Sequence, residues 1–147
     1  MAEAPIIRGS CLCEAVRFEV VPPTKWCAHC HCTMCRRAHG AGMVTWFGAH
    51  RSGFQLVTGA ERLKWYQSSA AARRGFCSNC GTPMFFEGER WPDEIHIARA
   101  TVAGTIDREP SVHVFYDVRS RWLEGHDQLK KLGGPSGFEP LTDIASA

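Results

Sequence analysis

The sequence predicts an all-β domain with short helices. A chain of 147 residues with 44% hydrophobic and 22% charged residues has the composition of one folded globular domain. Polar and apolar residues alternate over short runs, the pattern of half-buried strands, and turns rich in glycine, proline and serine separate these runs. No long stretch repeats apolar residues at the three-four spacing of a helix, so an alternating α/β architecture is disfavoured.

The predicted elements follow the chain in order. The strand-like runs are residues 15–20, 43–49, 54–59, 62–66, 82–88, 94–102 and 111–118. Two segments are helix candidates: "RRAHGAG" after Cys35, and "GHDQLKKLGG" over residues 125–134, whose glycine pair suits a helix end. Turn formers and small residues without periodicity fill the C-terminus. We therefore expect a domain over residues 1–132 and a loose tail over residues 133–147.

Charge and hydropathy disfavour several classes of partner. The net charge is only +2, and the lysines and arginines are scattered, which disfavours nucleic acid. The N-terminus lacks the charged and apolar regions of a signal peptide, and no apolar run approaches the roughly 18 residues that span a bilayer. A soluble, cytoplasmic protein without membrane contact is expected, and no pattern in the sequence indicates an oligomeric state.

Eight cysteines dominate the chemistry that the sequence offers. They form three clusters: Cys11 with Cys13, then Cys27, Cys30, Cys32 and Cys35, then Cys77 with Cys80. In a reducing compartment such close spacings indicate metal binding more often than disulfides. A CxC and a distant CxxC together supply four thiolates, the ligand set of a structural zinc.

We therefore predict a structural zinc on the first and last clusters, Cys11, Cys13, Cys77 and Cys80. Gly81, directly after the last pair, would allow the tight turn that such a pair needs. The alternatives are a mixed site that borrows from the central run, disulfides, or buried free thiols.

The central run "CAHCHCTMC" permits two kinds of site. If Cys27 joins Cys30, Cys32 and Cys35, the site is closed and structural. If only the last three bind, the fourth position is open to water or substrate, as in catalytic zinc sites. Spacing alone permits both, although four ligands within nine consecutive residues would force the chain to curl around one ion.

The three motifs "GSCLC", "CHCTMCRRAHG" and "GFCSNCGTPMF", in this order, resemble the glutathione-dependent formaldehyde-activating enzymes and their relatives, which include the centromere protein V family. The resemblance covers about residues 9–122. It implies a β-rich, tent-like fold of small coiled sheets, stapled by a zinc on the first and last clusters. It also implies a second, catalytic and labile zinc on Cys30, Cys32 and Cys35, with Cys27 as a bystander or spare ligand.

Other residues of the motifs match or depart from the family. His31 belongs to the CHC motif but matches no ligand, so it is expected to pack or hydrogen-bond beside the site. Glu14 stands where the family usually has glycine. Arg36 and Arg37 follow the last central cysteine, and we predict that they bind the carboxylates of glutathione; the alternative is a pair of solvated surface charges.

The activity that the resemblance implies is that of a carbon–sulfur lyase. It would form or cleave the adduct between a thiol, such as glutathione, and formaldehyde or another small aldehyde. Two other classes stay open: a non-catalytic zinc module of the same fold that binds a protein or nucleic acid, and a thiol–disulfide redox protein. The redox class lacks the βαβ pattern of a thioredoxin.

Overall fold

The computed structural model describes residues 4–123 and 128–141. Within them the chain forms twelve short strands and one α-helix of seven residues. The strands are β1 (Ile7–Ser10), β2 (Arg17–Val20), β3 (Trp26–Cys30), β4 (Val44–His50), β5 (Phe54–Thr58), β6 (Leu63–Ser69), β7 (Ala72–Cys77), β8 (Pro83–Gly88), β9 (Glu94–Ala98), β10 (Val112–Val114), β11 (Lys130–Gly133) and β12 (Glu139–Pro140). Helix α1 spans Thr33–His39, and single 3-10 turns span Arg51–Gly53, Arg99–Thr101 and Tyr116–Val118. The prediction of an all-β fold with short helices is confirmed.

The chain divides into two compact units, each made of two segments. The first unit comprises Met1–Trp26 and Trp46–Glu109, and the second comprises Cys27–Thr45 and Pro110–Ala147. The first and last cysteine clusters therefore belong to one unit, and the whole central run belongs to the other.

The first unit is built from antiparallel strands. One small sheet has the order β1-β2-β5, and a second run of strands has the order β4-β9-β8-β7-β6. Its core is aromatic and aliphatic, with the rings of Phe18 and Phe85 packed edge to face at 5.3 Å between centroids. Gly9 lies directly against the ring of Phe18, where a Cβ would stand 2.2 Å from a ring carbon. Burial of these side chains is the main force that holds the strands of this unit together.

The second unit combines a small sheet with α1. Its strands have the order β12-β11-β10-β3, with β10 parallel to both β3 and β11. Helix α1 follows β3 closely and ends at Gly40, whose φ of 59° is the left-handed cap that favours glycine. The helix predicted after Cys35 is thus present, but it begins earlier, at Thr33, so that Cys35 lies inside it.

The helix predicted over residues 125–134 is wrong where the structure describes it. Lys130–Gly133 form β11, which pairs with β10 through Val112 and His113. Pairing with a neighbouring strand overrides the local helical tendency of this segment, a common outcome for short sequences. Residues 125–127 of this prediction lie outside the described residues. Within the predicted tail, Glu139–Pro140 form β12 beside β11.

Candidate metal centres

The first unit gathers four thiols into one cluster. Cys11 and Cys13 lie in the turn after β1, Cys77 ends β7, and Cys80 lies in the turn before β8. The four sulfurs all lie within 4.8 Å of one another, close enough to hold one metal ion. Sulfur–sulfur distances of 3.6 Å from Cys11 to Cys13 and 3.8 Å from Cys13 to Cys77 show how closely the turns meet. We call this group the four-thiol cluster.

Both turns of the four-thiol cluster use left-handed backbone. Gly81 has a φ of 81°, and its N–H donates to the carbonyl of Cys77 at 2.8 Å, which closes the CxxC turn. Glu14 has a φ of 63°, and its N–H donates to the carbonyl of Cys11 at 3.1 Å. A residue with a side chain pays about 1–2 kcal/mol to adopt this conformation. Glu14 therefore keeps the turn that the family's glycine would make, at a modest cost in stability.

Burial and hydrogen bonds shift the pKa values of these thiols in opposite directions. Burial raises the pKa of Cys11 to about 11. A hydrogen bond from Thr82 lowers the pKa of Cys80 to about 5, and one from Asn79 lowers the pKa of Cys13. Cys80 thus supplies a thiolate at neutral pH, and the thiolate is the form in which cysteine binds metal.

The second unit gathers Cys30, Cys32 and Cys35, which we call the three-thiol cluster. Cys30 ends β3, Cys32 caps the start of α1, and Cys35 is the buried residue of α1. The sulfurs of Cys30 and Cys35 are 3.8 Å apart. Hydrogen bonds from the Cys30 and Cys35 thiols lower the pKa of Cys32 to about 2, while the bond to Cys32 is the main cause that raises the pKa of Cys30. Cysteine sulfur is a ligand that suits a soft cation, so these three residues are a second candidate donor set.

Cys27 lies in β3, three residues before Cys30. Successive side chains of a strand point to opposite faces, so Cys27 and His29 share one face while Ala28 and Cys30 share the other. Pairing of β3 with β10 fixes this register, with His29 opposite His113. The Cys27 side chain is almost fully buried, at 1% exposure. It therefore leaves β3 on the face away from Cys30.

The two histidines of the central run have different partners, a threonine for His29 and a histidine of β10 for His31. His29 Nδ1 lies 2.8 Å from Thr45 Oγ1, and His31 Nε2 lies 2.8 Å from His113 Nδ1. Tyr116 packs edge-on against the ring of His31 at 5.0 Å between centroids. Burial, followed by the nearby His113, lowers the pKa of His31 to about 4, so His31 stays neutral at pH 7. Its Nε2 is occupied by another imidazole.

The two arginines after Cys35 have different surroundings. Arg36 donates from Nη1 to the carbonyl of Val118 at 3.1 Å and to Ser120 Oγ at 2.8 Å, which ties α1 to the chain after β10. Arg37 is exposed on α1. Sequence reasoning treated the two alike because neither Val118 nor Ser120 is near them in the sequence.

Sequence reasoning also missed Asn79 and Thr82, which hydrogen-bond the sulfurs of the four-thiol cluster. Their place inside and beside the "CSNCGT" motif was a usable signal, since polar side chains in such turns reach the ligands readily.

No helix among the described residues is long and apolar enough to cross a membrane.

Comparison with known proteins shows which family this chain matches. The family model "Glutathione-dependent formaldehyde-activating enzyme" matches residues 6–118. A protein of Halomonas elongata named "Putative glutathione-dependent formaldehyde-activating enzyme" is 30% identical over 126 residues, which cover 81% of this chain and 80% of that protein. An uncharacterized lyase of Schizosaccharomyces pombe is 30% identical over 82 residues, or 56% of this chain and 58% of that protein.

A solved structure is similar to this chain in fold and sequence. The crystal structure of a Rhodobacter sphaeroides protein matches with a TM-score of 0.57 and 30% sequence identity. The match covers 69% of this chain and 93% of that one. The chain belongs to the family of glutathione-dependent formaldehyde-activating enzymes.

Proposed function

We propose that this protein is a zinc-dependent carbon–sulfur lyase. It forms and cleaves the adduct between a thiol, glutathione or a similar one, and formaldehyde or another small aldehyde. The reaction takes place at a zinc held by Cys30, Cys32 and Cys35. The observation that carries this proposal is the three-thiol cluster itself, together with the position of Cys27 on the other face of β3.

The donor sets of both clusters fit zinc. Thiolates are preferred ligands of this ion, and four of them make a closed structural site. We assign that role to the four-thiol cluster, whose sulfurs lie within 4.8 Å of one another. Three protein ligands leave one position of a tetrahedral zinc to another molecule, which is the arrangement of catalytic sites. None of the eight cysteines, all of which lie in the described part of the chain, forms a disulfide, which fits the reducing cytoplasm in which we expect the protein to work.

The chemistry is the addition of a thiol to a carbonyl group. Zinc, when bound, supplies the positive charge that keeps a substrate thiol ionised at neutral pH. The sulfur then forms a bond to the carbonyl carbon, and the carbonyl oxygen takes up the proton that the thiol released. In the reverse direction the carbon–sulfur bond breaks and the proton returns to sulfur. Atoms and electrons balance without any oxidant or reductant.

The protein also binds the rest of the thiol substrate. Glutathione carries two carboxylates, and guanidinium groups pair with carboxylates through charge-assisted hydrogen bonds. Arg37 is exposed and lies two residues after Cys35, so we assign it the first contact with a carboxylate. Arg36 already donates to Val118 and Ser120, and it contributes mainly charge.

The test combines metal analysis with a direct assay of the adduct. Zinc per chain is measured by mass spectrometry, and formation of S-hydroxymethylglutathione is followed by NMR with isotope-labelled formaldehyde. The parent should carry two zinc ions and accelerate adduct formation. Cys32→Ser should lose one zinc and lower the rate by about 100-fold or more, in the range reported for loss of groups that act on the reacting atoms.

Removal of metal provides the matched control. A brief chelator treatment that removes only the labile zinc should abolish the acceleration, and added zinc should restore it in the parent but not in Cys32→Ser. A folded parent that carries both zinc ions yet leaves the adduct rate unchanged would contradict the proposal. That result would favour a non-catalytic zinc module of the same fold.

A further inference from the structure

Thr82 connects the two turns of the four-thiol cluster. The backbone N–H of Leu12 donates to Thr82 Oγ1 at 3.0 Å, and the same Oγ1 lies 3.2 Å from Cys80 Sγ. Because the hydroxyl oxygen accepts from Leu12, its own proton is available to the sulfur of Cys80. A single side chain is therefore bonded to the backbone of the CxC turn and to a sulfur of the CxxC turn.

Asn79 connects the same two turns through a different pair of groups. Its Nδ2 donates to Cys13 Sγ at 3.2 Å, so that a side chain of the CxxC turn reaches a sulfur of the CxC turn. A third sulfur, that of Cys11, accepts from the backbone N–H of Val16 at 3.3 Å. Donors from outside the cluster thus reach the sulfurs of Cys11, Cys13 and Cys80, and two of these donors are side chains that can be replaced.

These donors matter because four thiolates around one divalent cation carry a net charge of −2. A hydrogen bond to a thiolate draws charge from the sulfur and fixes the direction of its lone pairs. Both effects favour the bound geometry. Without the donor, a sulfur is freer to rotate away from the ion and to take up a proton, which is the first step of metal release.

We infer that Thr82 and Asn79 are positioning residues which hold the thiolates of Cys80 and Cys13 for the metal and thereby slow its release from the four-thiol cluster. This inference rests on the proposed zinc at that cluster. Loss of partners to metal ligands typically weakens metal binding by about 10–100-fold. Thr82 should have the larger effect, because it also binds the backbone of the opposite turn, whereas Asn79 is exposed.

The experiment measures zinc release to a chromogenic chelator in the full-length protein. All variants carry Cys32→Ser, so that the three-thiol cluster does not contribute to the signal. Thr82→Val keeps the shape of the side chain and removes the hydroxyl, Thr82→Ser keeps the hydroxyl, and Asn79→Ala removes the amide. The matched control is Thr101→Val in the same unit, because the Thr101 hydroxyl donates to a backbone carbonyl, that of Ala98, at 2.7 Å.

Relative to the protein that carries Cys32→Ser alone, we expect zinc release to be about tenfold faster in Thr82→Val and accelerated less in Asn79→Ala. Thr82→Ser and Thr101→Val should release zinc at the rate of Cys32→Ser alone. A second readout is the sulfur-to-metal charge-transfer band after Co²⁺ replaces zinc. It should shift in Thr82→Val and Asn79→Ala and return in Thr82→Ser. A change of packing alone would leave this band in place.

Three results would overturn the inference. Release at the parent's rate with an unchanged Co²⁺ spectrum in both Thr82→Val and Asn79→Ala would show that the donors do not act on the metal. Failure of Thr82→Ser to restore the spectrum would show that the hydroxyl is not the cause. A parent without metal on the four-thiol cluster would refute the zinc site itself, and this inference with it. If Thr82→Val does not fold, the exposed Asn79 decides the question through Asn79→Ala.

Discussion

The two thiol clusters differ in how far apart in the sequence their cysteines lie. The four-thiol cluster joins two turns that are far apart in sequence, with Cys13 and Cys77 separated by 64 residues. The three-thiol cluster takes all its sulfurs from one strand–helix junction, with Cys30 and Cys35 separated by 5 residues. A cross-link that closes a long loop removes more conformational entropy from the unfolded chain than one that closes a short loop. A metal on the first cluster should therefore stabilise the fold far more than a metal on the second.

The groups that act on the sulfurs also differ between the two clusters. In the four-thiol cluster, side chains that are not ligands donate to the sulfurs of Cys13 and Cys80. In the three-thiol cluster, the neighbouring thiols of Cys30 and Cys35 are the main causes that lower the pKa of Cys32. The first cluster is thus supported by side chains that are not themselves ligands. Such support suits the structural role that we propose for the four-thiol cluster.

The largest expected effect separates the clusters by stability. A structural zinc contributes on the order of 10 kcal/mol or more, which is comparable to the whole stability of a small domain. We expect Cys11→Ser and Cys80→Ser to give insoluble or unfolded protein, and the control Cys32→Ser to give folded protein with one zinc less. Soluble yield, thermal unfolding and zinc content measure the difference. If both variants of the four-thiol cluster melt at the parent's temperature, the proposed contrast between the two clusters fails.

The next largest effect concerns Cys27, which precedes the three-thiol cluster in the sequence. Because Cys27 leaves β3 on the face away from Cys30, Cys27→Ala should keep both zinc ions and the adduct rate. Loss of a small buried side chain should lower the free energy of unfolding by about 1 kcal/mol. The matched control is Cys30→Ala, the same substitution in the same strand, which should lose one zinc and the activity.

Zinc content is the decisive measurement for Cys27. If Cys27→Ala loses one zinc, then Cys27 is a fourth ligand and the second site is closed. The protein would then be a structural zinc module rather than a lyase.

Much of this fold could be predicted from local pattern. Strands β2, β4 and β5 show clear alternation, and the pairing of a CxC with a distant CxxC indicated the four-thiol cluster. Strand β7 was missed because Arg73 and Arg74 break its apolar pattern. In the structure Arg73 pairs with Glu87 at 2.7 Å and lies over the ring of Trp65 at 4.1 Å. Its partners come from other strands, and a local pattern does not contain them.

The question of Cys27 shows a different limit of the sequence. The spacing of the central run permits three or four ligands, and the choice depends on whether Cys27 and Cys30 share a face. Only the assignment of Trp26–Cys30 as one continuous strand, in register with β10, puts them on opposite faces. That register depends on pairing with residues more than 80 positions away, at His113 and Val114.

The smallest expected effect distinguishes the two arginines beside the three-thiol cluster. Arg36→Ala removes hydrogen bonds to Val118 and to the buried Ser120, so it should lower stability by about 1–2 kcal/mol. Arg37→Ala removes an exposed charge and should change stability by no more than about 0.5 kcal/mol. If Arg37 pairs with a carboxylate of glutathione, its loss should weaken glutathione binding by about tenfold, the equivalent of one charge-assisted hydrogen bond.

Thermal unfolding and calorimetric titration with glutathione, carried out on the same samples, separate the two roles. We expect Arg36→Ala to change mainly the unfolding temperature and Arg37→Ala to change mainly the affinity. Arg37→Lys keeps the charge but loses the planar fork, so it should recover part of the affinity if the contact is with a carboxylate. If glutathione binds Arg37→Ala as tightly as the parent, Arg37 is a solvated surface charge, and substrate recognition at the three-thiol cluster depends on other groups of the second unit.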